Sequence, residues 1–387
     1  MRNQLGITFV DDFEDIRPFN DDEVSCELKK LVNDDEFVAF LASWLAPSLA
    51  RFAPSTIRYL LKLYLRKLIS PIKDVDSFQS LIARFATKLI REGTEGINYE
   101  GFEKLDPSQN YLFISNHRDI ACDSMFLDYG LYTKGFGTVR IAIGDNLVQT
   151  DFATSLMRLN KGFFIKRSVQ GNKKIYAALL QASRYIKESI ESGNSVWIAQ
   201  SEGRSKDAID TTDPALIKML GLAKGKADLN SFIQSLNIVP LSISYEFDPC
   251  DVLKAKELTV IKSGETYQKP EGEDLISLAK GLSGKKGNVK FSVGTPLDQN
   301  FEDASEIARE IDRQILSNLE FYPINYWALS KLDEEPYKQL RNNYSVDLSG
   351  KDADQLAERL QKCPDQYREQ FLRIYANPIL NRERSNI

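Results

Sequence analysis

Apolar positions along the chain follow two regimes. Between residues 37 and 73 they recur at helical spacing, as Phe37, Phe40, Leu41, Trp44 and Leu45, then Ile57, Tyr59, Leu60, Leu61, Leu63 and Leu65. Breaks at Pro47, Pro54 and Pro71 predict short helices there. From about 81 onward, short β-branched or aromatic runs bounded by polar residues or glycine alternate with helical patterns. Strands are expected at Gly96–Tyr99, Tyr111–Ser115, Val139–Ile143, Gly162–Lys166, Ser195–Ala199, Ile238–Tyr245, Leu258–Ile261 and Val289–Val293. Helices are expected at Cys122–Leu131, Asp151–Leu159, Lys173–Ser192, Asp213–Lys224 and Ala304–Leu319, with Asn172 and Asp213-Pro214 as starts. Beyond 321 the pattern is helical and charged. Alternation of this kind predicts an α/β fold, a central mixed sheet flanked by helices, with an N-terminal helical region and a helical C-terminal tail. The expected division is residues 1–80, an acidic segment and amphipathic helices; 81–320, the α/β domain; and 321–387, a helical extension.

Composition narrows the class. The chain is 42% hydrophobic and 27% charged, with a mean hydropathy of −0.33. No run approaches the roughly 20 apolar residues of a membrane span, and the start Met-Arg-Asn-Gln-Leu-Gly lacks an apolar secretory core, so a cytoplasmic protein is expected. Four scattered cysteines, Cys26, Cys122, Cys250 and Cys363, suggest neither a disulfide framework nor a zinc site, and a single histidine argues against a bound metal. The net charge of −5 argues against a nucleic-acid partner. That charge is unevenly spread. Residues 1–36 are acid-rich (Asp11, Asp12, Glu14, Asp15, Asp21, Asp22, Glu23), whereas 37–73 contain no acid and carry Arg51, Arg58, Lys62, Arg66, Lys67 and Lys73. A basic, aromatic-bearing helical stretch suits peripheral contact with an anionic membrane; packing of the same faces on the main domain would produce the same pattern.

The one histidine, His117, stands where the apolar run Tyr111–Ser115 gives way to Asn-His-Arg-Asp-Ile-Ala-Cys-Asp. An imidazole titrates near neutrality and takes a proton from an alcohol when a carboxylate fixes its tautomer, and the candidates for that carboxylate are Asp119 and Asp123. Cys122 is an alternative nucleophile, although its place at a strand-to-helix junction points it into the core. A second cluster, Gly162-Phe-Phe-Ile-Lys-Arg167, ends an apolar strand in the cations Lys166 and Arg167, which suits phosphate. In the third, Trp197-Ile-Ala-Gln-Ser-Glu-Gly-Arg-Ser205, Gly203 lets backbone approach a ligand while Arg204 and Ser205 supply charge and a hydroxyl. Taken singly, each is also an ordinary polar strand end.

Taken in order, the clusters resemble the glycerolipid acyltransferase superfamily, of the glycerol-3-phosphate and 1-acylglycerol-3-phosphate acyltransferase type. Its members show His-x4-Asp, Gly-x-x-Phe-Ile-x-Arg, Glu-Gly-x-Arg-Ser and a later apolar strand with proline. Here these correspond to His117 to Asp123, Gly162 to Arg167, Glu202-Gly203-Arg204-Ser205 and Ile238-Val-Pro240-Leu-Ser-Ile. Val289–Leu297 resembles the closing strand with its Gly-x-Pro turn. Two departures fall at the site: five residues separate His117 from Asp123, and Gly203 meets Arg204 without an intervening residue. Asp123 is expected to orient the histidine, because it starts a helix at nearly the family distance.

The resemblance implies an acyl-thioester-dependent O-acyltransferase of phospholipid biosynthesis, with His117 as general base and Asp123 as its orienting carboxylate. An amide of the adjacent turn is expected to stabilise the oxyanion. Gly162, Lys166, Arg167, Glu202, Gly203, Arg204 and Ser205 would bind the substrates. No bound cofactor is implied; the co-substrate is acyl-coenzyme A or acyl-acyl carrier protein. His117-Arg118 and Gly162–Arg167 look closer to the glycerol-3-phosphate and dihydroxyacetone-phosphate branch, whereas Asn116 resembles the lysophosphatidate branch. Glycerol-3-phosphate is the favoured acceptor and lysophosphatidate the alternative. Two other readings are a non-catalytic lipid-binding relative, marked by a carboxylate out of imidazole reach, and a thioesterase using Cys122. A peripheral place on the inner face of a membrane is the added expectation for 37–73.

Overall fold

The computed structural model describes residues 12–145, 150–344 and 351–385, the side chains of 351–353 excepted; Asp11, in the acid-rich start, lies outside the described residues. The N-terminal part forms α1 (Asp21–Asn33), α2 (Asp35–Leu45), α3 (Pro47–Phe52), α4 (Pro54–Ile69) and α5 (Val75–Gly93). There follow β1 (Gly96–Glu100), β2 (Leu112–Ser115), α6 (Cys122–Thr133), β3 (Arg140–Gly144), α7 (Asp151–Leu159), β4 (Gly162–Ile165) and α8 (Asn172–Glu191). Next come β5 (Val196–Ala199), α9 (Pro214–Leu220), α10 (Leu229–Ser235), β6 (Ile238–Tyr245), α11 (Asp251–Lys262), α12 (Glu273–Ser283), β7 (Asn288–Val293) and α13 (Ala304–Ser317). The chain closes with α14 (Pro323–Ser330), α15 (Tyr337–Arg341), α16 (Lys351–Lys362) and α17 (Arg368–Arg384).

The fold is α/β, and every expected strand but one is present. The exception is Leu258–Ile261, which lies inside α11. Its Leu-Thr-Val-Ile run has strand character, but helix-favouring residues from Val252 to Glu257 lead into it and tertiary packing decides the outcome. Leu258 packs on the C-terminal helical core, and the Thr259 hydroxyl is satisfied within the helix by the Ala255 carbonyl at 2.7 Å. Helix α12 was likewise not expected. Asp213 caps α9 as expected, with Pro214 in its first turn, whereas Asn172 is the first residue of α8, behind Gly171. Pro47 and Pro54 open α3 and α4, where a missing amide hydrogen costs nothing.

The chain divides into two compact units, Met1–Phe85 with Val139–Val196, and Ala86–Thr138 with Trp197–Ile387. In the first, β3 and β4 pair in parallel with Ile141 opposite Gly162, and α2 meets α7 through Phe37 and Phe152, ring centroids 5.8 Å apart. Helices α3 and α4 bury no residue, and Phe52 is 94% exposed with Leu49, Tyr59, Leu60 and Tyr64 also exposed. Two cations of this stretch turn back on the helices before it, Lys62 to Asp35 at 2.7 Å and Arg66 to Asn33 at 2.8 Å.

The second unit holds a mixed sheet in the order β1-β7-β6-β2-β5, in which β1 runs parallel to β7, β7 antiparallel to β6 and β6 parallel to β2. All four residues of β2 and seven of the eight in β6 are buried, as in strands covered on both faces. Helices α11, α14 and α17 share a further core around Ile324, Ala328, Phe371 and Ile379. No described helix is long and apolar enough to cross a membrane.

Candidate active site

The site begins where β2 stops. Asn116, the next residue, is fully buried, and its amide group imitates a strand residue: Nδ2 donates to the Ile243 carbonyl at 2.9 Å and Oδ1 accepts from the Ile243 amide at 2.8 Å. This side chain extends the β2–β6 ladder by one step and fixes the direction in which His117 leaves the sheet.

His117 Nδ1 lies 2.7 Å from Asp123 Oδ2. The same oxygen accepts the backbone amides of Arg118 at 2.6 Å and Asp119 at 3.0 Å. A carboxylate oxygen with three neighbouring donors is an acceptor only, so the proton of the neutral imidazole sits on Nδ1 and the Nε2 lone pair is left for chemistry. No described residue hydrogen-bonds Nε2. The ring stands edge-on to Trp197 at 5.3 Å, and the Trp197 indole donates to the Ser115 hydroxyl at 2.9 Å. The imidazole is held from two directions.

Asp119 does a different job. Its Oδ1 accepts the amides of Ala121 at 3.1 Å and Cys122 at 2.9 Å, which satisfies the start of α6. Its carboxylate also rests against Gly281 of α12, where a Cβ would approach within 2.3 Å. Cys122 is fully buried, and burial, then the charge of Asp119, pushes its thiol well above the ordinary range. It is a core residue rather than a nucleophile.

Three backbone amides at this turn are already engaged. Those of Arg118 and Asp119 are directed at Asp123, and that of Ser205 donates to the His117 carbonyl at 2.8 Å. They hold His117 and Asp123 in place.

Glu202, Gly203, Arg204 and Ser205 follow β5. Gly203 has φ +73°, a left-handed conformation that favours glycine, and open space where a side chain would stand. Glu202 is exposed, while the Arg204 side chain is 8% exposed and only loosely paired with Asp274 at 3.9 Å. The Ser205 hydroxyl is buried beside the Asp210 carboxylate. Their link to His117 is the Ser205 amide just described. Gly162, Lys166 and Arg167 belong to the other unit. A Cβ on Gly162 would meet the Met157 carbonyl at 2.6 Å, so packing of the α7–β4 turn requires glycine. Lys166 ion-pairs with Asp15, and the Arg167 amide donates to Asp145 at 2.9 Å.

Several groups around His117 were not foreseen. Arg118 pairs with Asp210, a carboxylate that burial pushes up and Arg118 pulls back. Lys254 donates to the Arg118 carbonyl at 3.0 Å and pairs with Asp248 at 2.6 Å. Burial alone would raise the Asp248 carboxyl, but Lys254 more than offsets it. Asp123 and the Tyr245 hydroxyl are buried side by side; burial, then the Asp123 charge, lifts the phenol well above its usual range. Only Asp210 left a trace in the sequence, as a second carboxylate shortly after the Arg-Ser-Lys run. Among the described residues no group of His, Cys, Asp and Glu side chains is placed to hold a metal.

The α/β sheet thus delivers a histidine, seated on a buried carboxylate, to the end of a strand. Residues 96–244 match the family model described as Acyltransferase. Over this stretch the chain therefore resembles an acyltransferase domain, and relatives that match it carry the names of glycerolipid acyltransferases. Among its relatives, dihydroxyacetone phosphate acyltransferase of Bos taurus is 25% identical over 218 residues, 55% of this chain and 30% of that protein. Glycerol-3-phosphate acyltransferase of Xanthomonas axonopodis pv. citri (strain 306) is 32% identical over 100 residues, 26% of this chain and 11% of that protein. The matches thus span less than a third of either relative. The solved structure of the 1-acyl-sn-glycerophosphate (LPA) acyltransferase PlsC from Thermotoga maritima aligns over 72% of this chain and 92% of that one, at 14% identity and a TM-score of 0.37.

Proposed function

We propose that the protein transfers a fatty acyl group from an acyl-thioester, of coenzyme A or acyl carrier protein, to a hydroxyl of a glycerol phosphate, with glycerol-3-phosphate as the favoured acceptor. The observation that carries this reading is the 2.7 Å contact between His117 Nδ1 and Asp123, which leaves Nε2 open as a base. In the reaction the acceptor hydroxyl gives its proton to Nε2 as its oxygen attacks the thioester carbonyl. The new C–O bond forms, the C–S bond breaks, and the thiol leaves with the proton held by the imidazolium. Asp123 keeps the tautomer and stabilises the transient cation. No acyl-enzyme is needed, and the buried thiol of Cys122 disfavours a thioesterase route through one.

Arg204 and Ser205, with the Glu202-Gly203 turn, are proposed to hold the acceptor phosphate. Arg204 is nearly buried and only loosely paired, 3.9 Å from Asp274, and Ser205 follows it directly in the chain. Gly162, Lys166 and Arg167 join them on the strength of their motif, Arg167 for its planar fork and Lys166 as a point charge. The names of the relatives, which specify dihydroxyacetone phosphate and glycerol-3-phosphate, favour a small phosphorylated acceptor over lysophosphatidate. Acceptor-dependent thiol release, with each acceptor offered separately, tests the assignment. Residues 37–73 are proposed to rest on an anionic membrane surface. The exposed Leu49, Phe52, Tyr59, Leu60 and Tyr64 lie in an acid-free, cation-bearing stretch, and that combination suits the headgroup boundary better than water.

A further inference from the structure

We infer that the last helix, α17, is part of the acceptor-binding apparatus, with Asn377 and Asn381 as positioning residues that hold the 202–210 loop against the His117 turn. This rests on the acyl-transfer reading above. The two asparagines are four residues apart and so share a face of the helix. Both are buried. Asn377 Nδ2 donates to the Asp207 carbonyl at 2.7 Å, and Asn381 Nδ2 donates to the Asp210 carbonyl at 2.8 Å. The Tyr337 hydroxyl donates to Asn377 Oδ1 at 2.6 Å, which fixes the amide so that its donor faces the loop.

The backbone between those two anchors is strained. Ala208 has φ +61°, a left-handed conformation that an alanine holds only where its surroundings over-determine it. The asparagine bonds on either side supply that constraint. From the opposite direction the loop is tied to the catalytic turn, by the Ser205 amide on the His117 carbonyl and by the Asp210 carboxylate on Arg118. Asp210 is therefore gripped twice, its backbone by α17 and its side chain by the residue after His117. Arg204 and Ser205 lie in the span fixed by these ties. Without the helix the loop has no reason to keep the turn that presents them. The C-terminal extension thus sets acceptor affinity rather than the proton transfer itself.

The test uses the full chain with Asn381→Leu, close in size but without a donor, and Phe371→Leu, which loosens the same helix through its core packing alone. Asn381→Ser, smaller and polar, replaces the leucine variant if that fails to fold. Acceptor KM, thioester KM and kcat are measured beside amide hydrogen exchange of residues 203–210, which needs no turnover. The expected result for Asn381→Leu is an acceptor KM raised about tenfold, the worth of one hydrogen bond, with kcat and thioester KM within about twofold and faster exchange in the loop. Phe371→Leu should lower the melting temperature and do neither. Unchanged loop exchange in Asn381→Leu would overturn the clamp whatever the activity. Faster exchange with unchanged acceptor KM, or equal kinetic effects in Phe371→Leu, would overturn the positioning role. A wild-type chain that releases no thiol with any acceptor fails the underlying reaction, and the exchange data tell that failure from failure of the clamp.

Discussion

His117 and Asp123 meet at 2.7 Å although five residues separate them, one more than in the motif the sequence resembles. The longer connection is accommodated by a division of labour between two carboxylates: Asp119 satisfies the start of α6, and Asp123, one residue inside that helix, receives the imidazole and two turn amides. The altered spacing is compatible with a working pair.

Asp123→Asn keeps the shape but replaces an acceptor by an amide that can present a donor to Nδ1, favouring the wrong tautomer. Acyl transfer should fall by about 10²- to 10⁴-fold with little change in acceptor KM. Steady-state thiol release checks this. Asp119→Asn should affect stability more than rate.

Asp312 supplies a pH dependence of folding. Burial pushes its carboxyl up to about 6, against the opposing hydrogen bonds from the Thr212 amide at 2.7 Å and hydroxyl at 2.6 Å. A carboxyl whose folded value is raised binds its proton more tightly when folded. The stability it contributes is therefore full below the unfolded value near 4 and is lost as pH rises through 6, by roughly 3 kcal/mol at most. Asp312→Asn should flatten urea-unfolding free energy between pH 4 and 7; an unchanged slope would count against the assignment.

Asn116→Ala strips both partners from the Ile243 backbone inside the sheet. Two buried backbone groups left unsatisfied should lower stability by about 2–4 kcal/mol. The denaturation midpoint measures this, and a variant as stable as the parent would remove Asn116 from its bridging role.

Replacing Leu49, Phe52 and Leu60 by serine should abolish flotation with vesicles containing anionic lipid, while leaving the melting temperature nearly unchanged because these side chains are exposed. Flotation of the parent should weaken as salt rises toward 1 M. Flotation indifferent to the three substitutions would remove 37–73 from membrane contact.

Much of this was legible in the sequence, for physical reasons. Strands such as Leu112–Ser115 and Gly162–Ile165 announce themselves because burial on both faces favours a short apolar run, and prolines mark helix starts wherever an amide is dispensable. The His117–Asp123 pair was readable because both groups lie within one strand-to-helix turn. Leu258–Ile261 misled because β-branched residues are tolerated in a helix whose packing is settled by distant α17. Lys254, Tyr245 and the α17 asparagines were invisible for a related cause: each reaches the site from far along the chain, and no local spacing encodes that approach.

The most direct measurement of the central claim is thiol release from a long-chain acyl-thioester, with glycerol-3-phosphate and lysophosphatidate offered separately, for the intact protein and for His117→Ala. The prediction is release that depends on glycerol-3-phosphate and disappears in the variant. Acceptor-dependent release that survives loss of the imidazole, or none from the intact protein with either acceptor and both donor types, would contradict it.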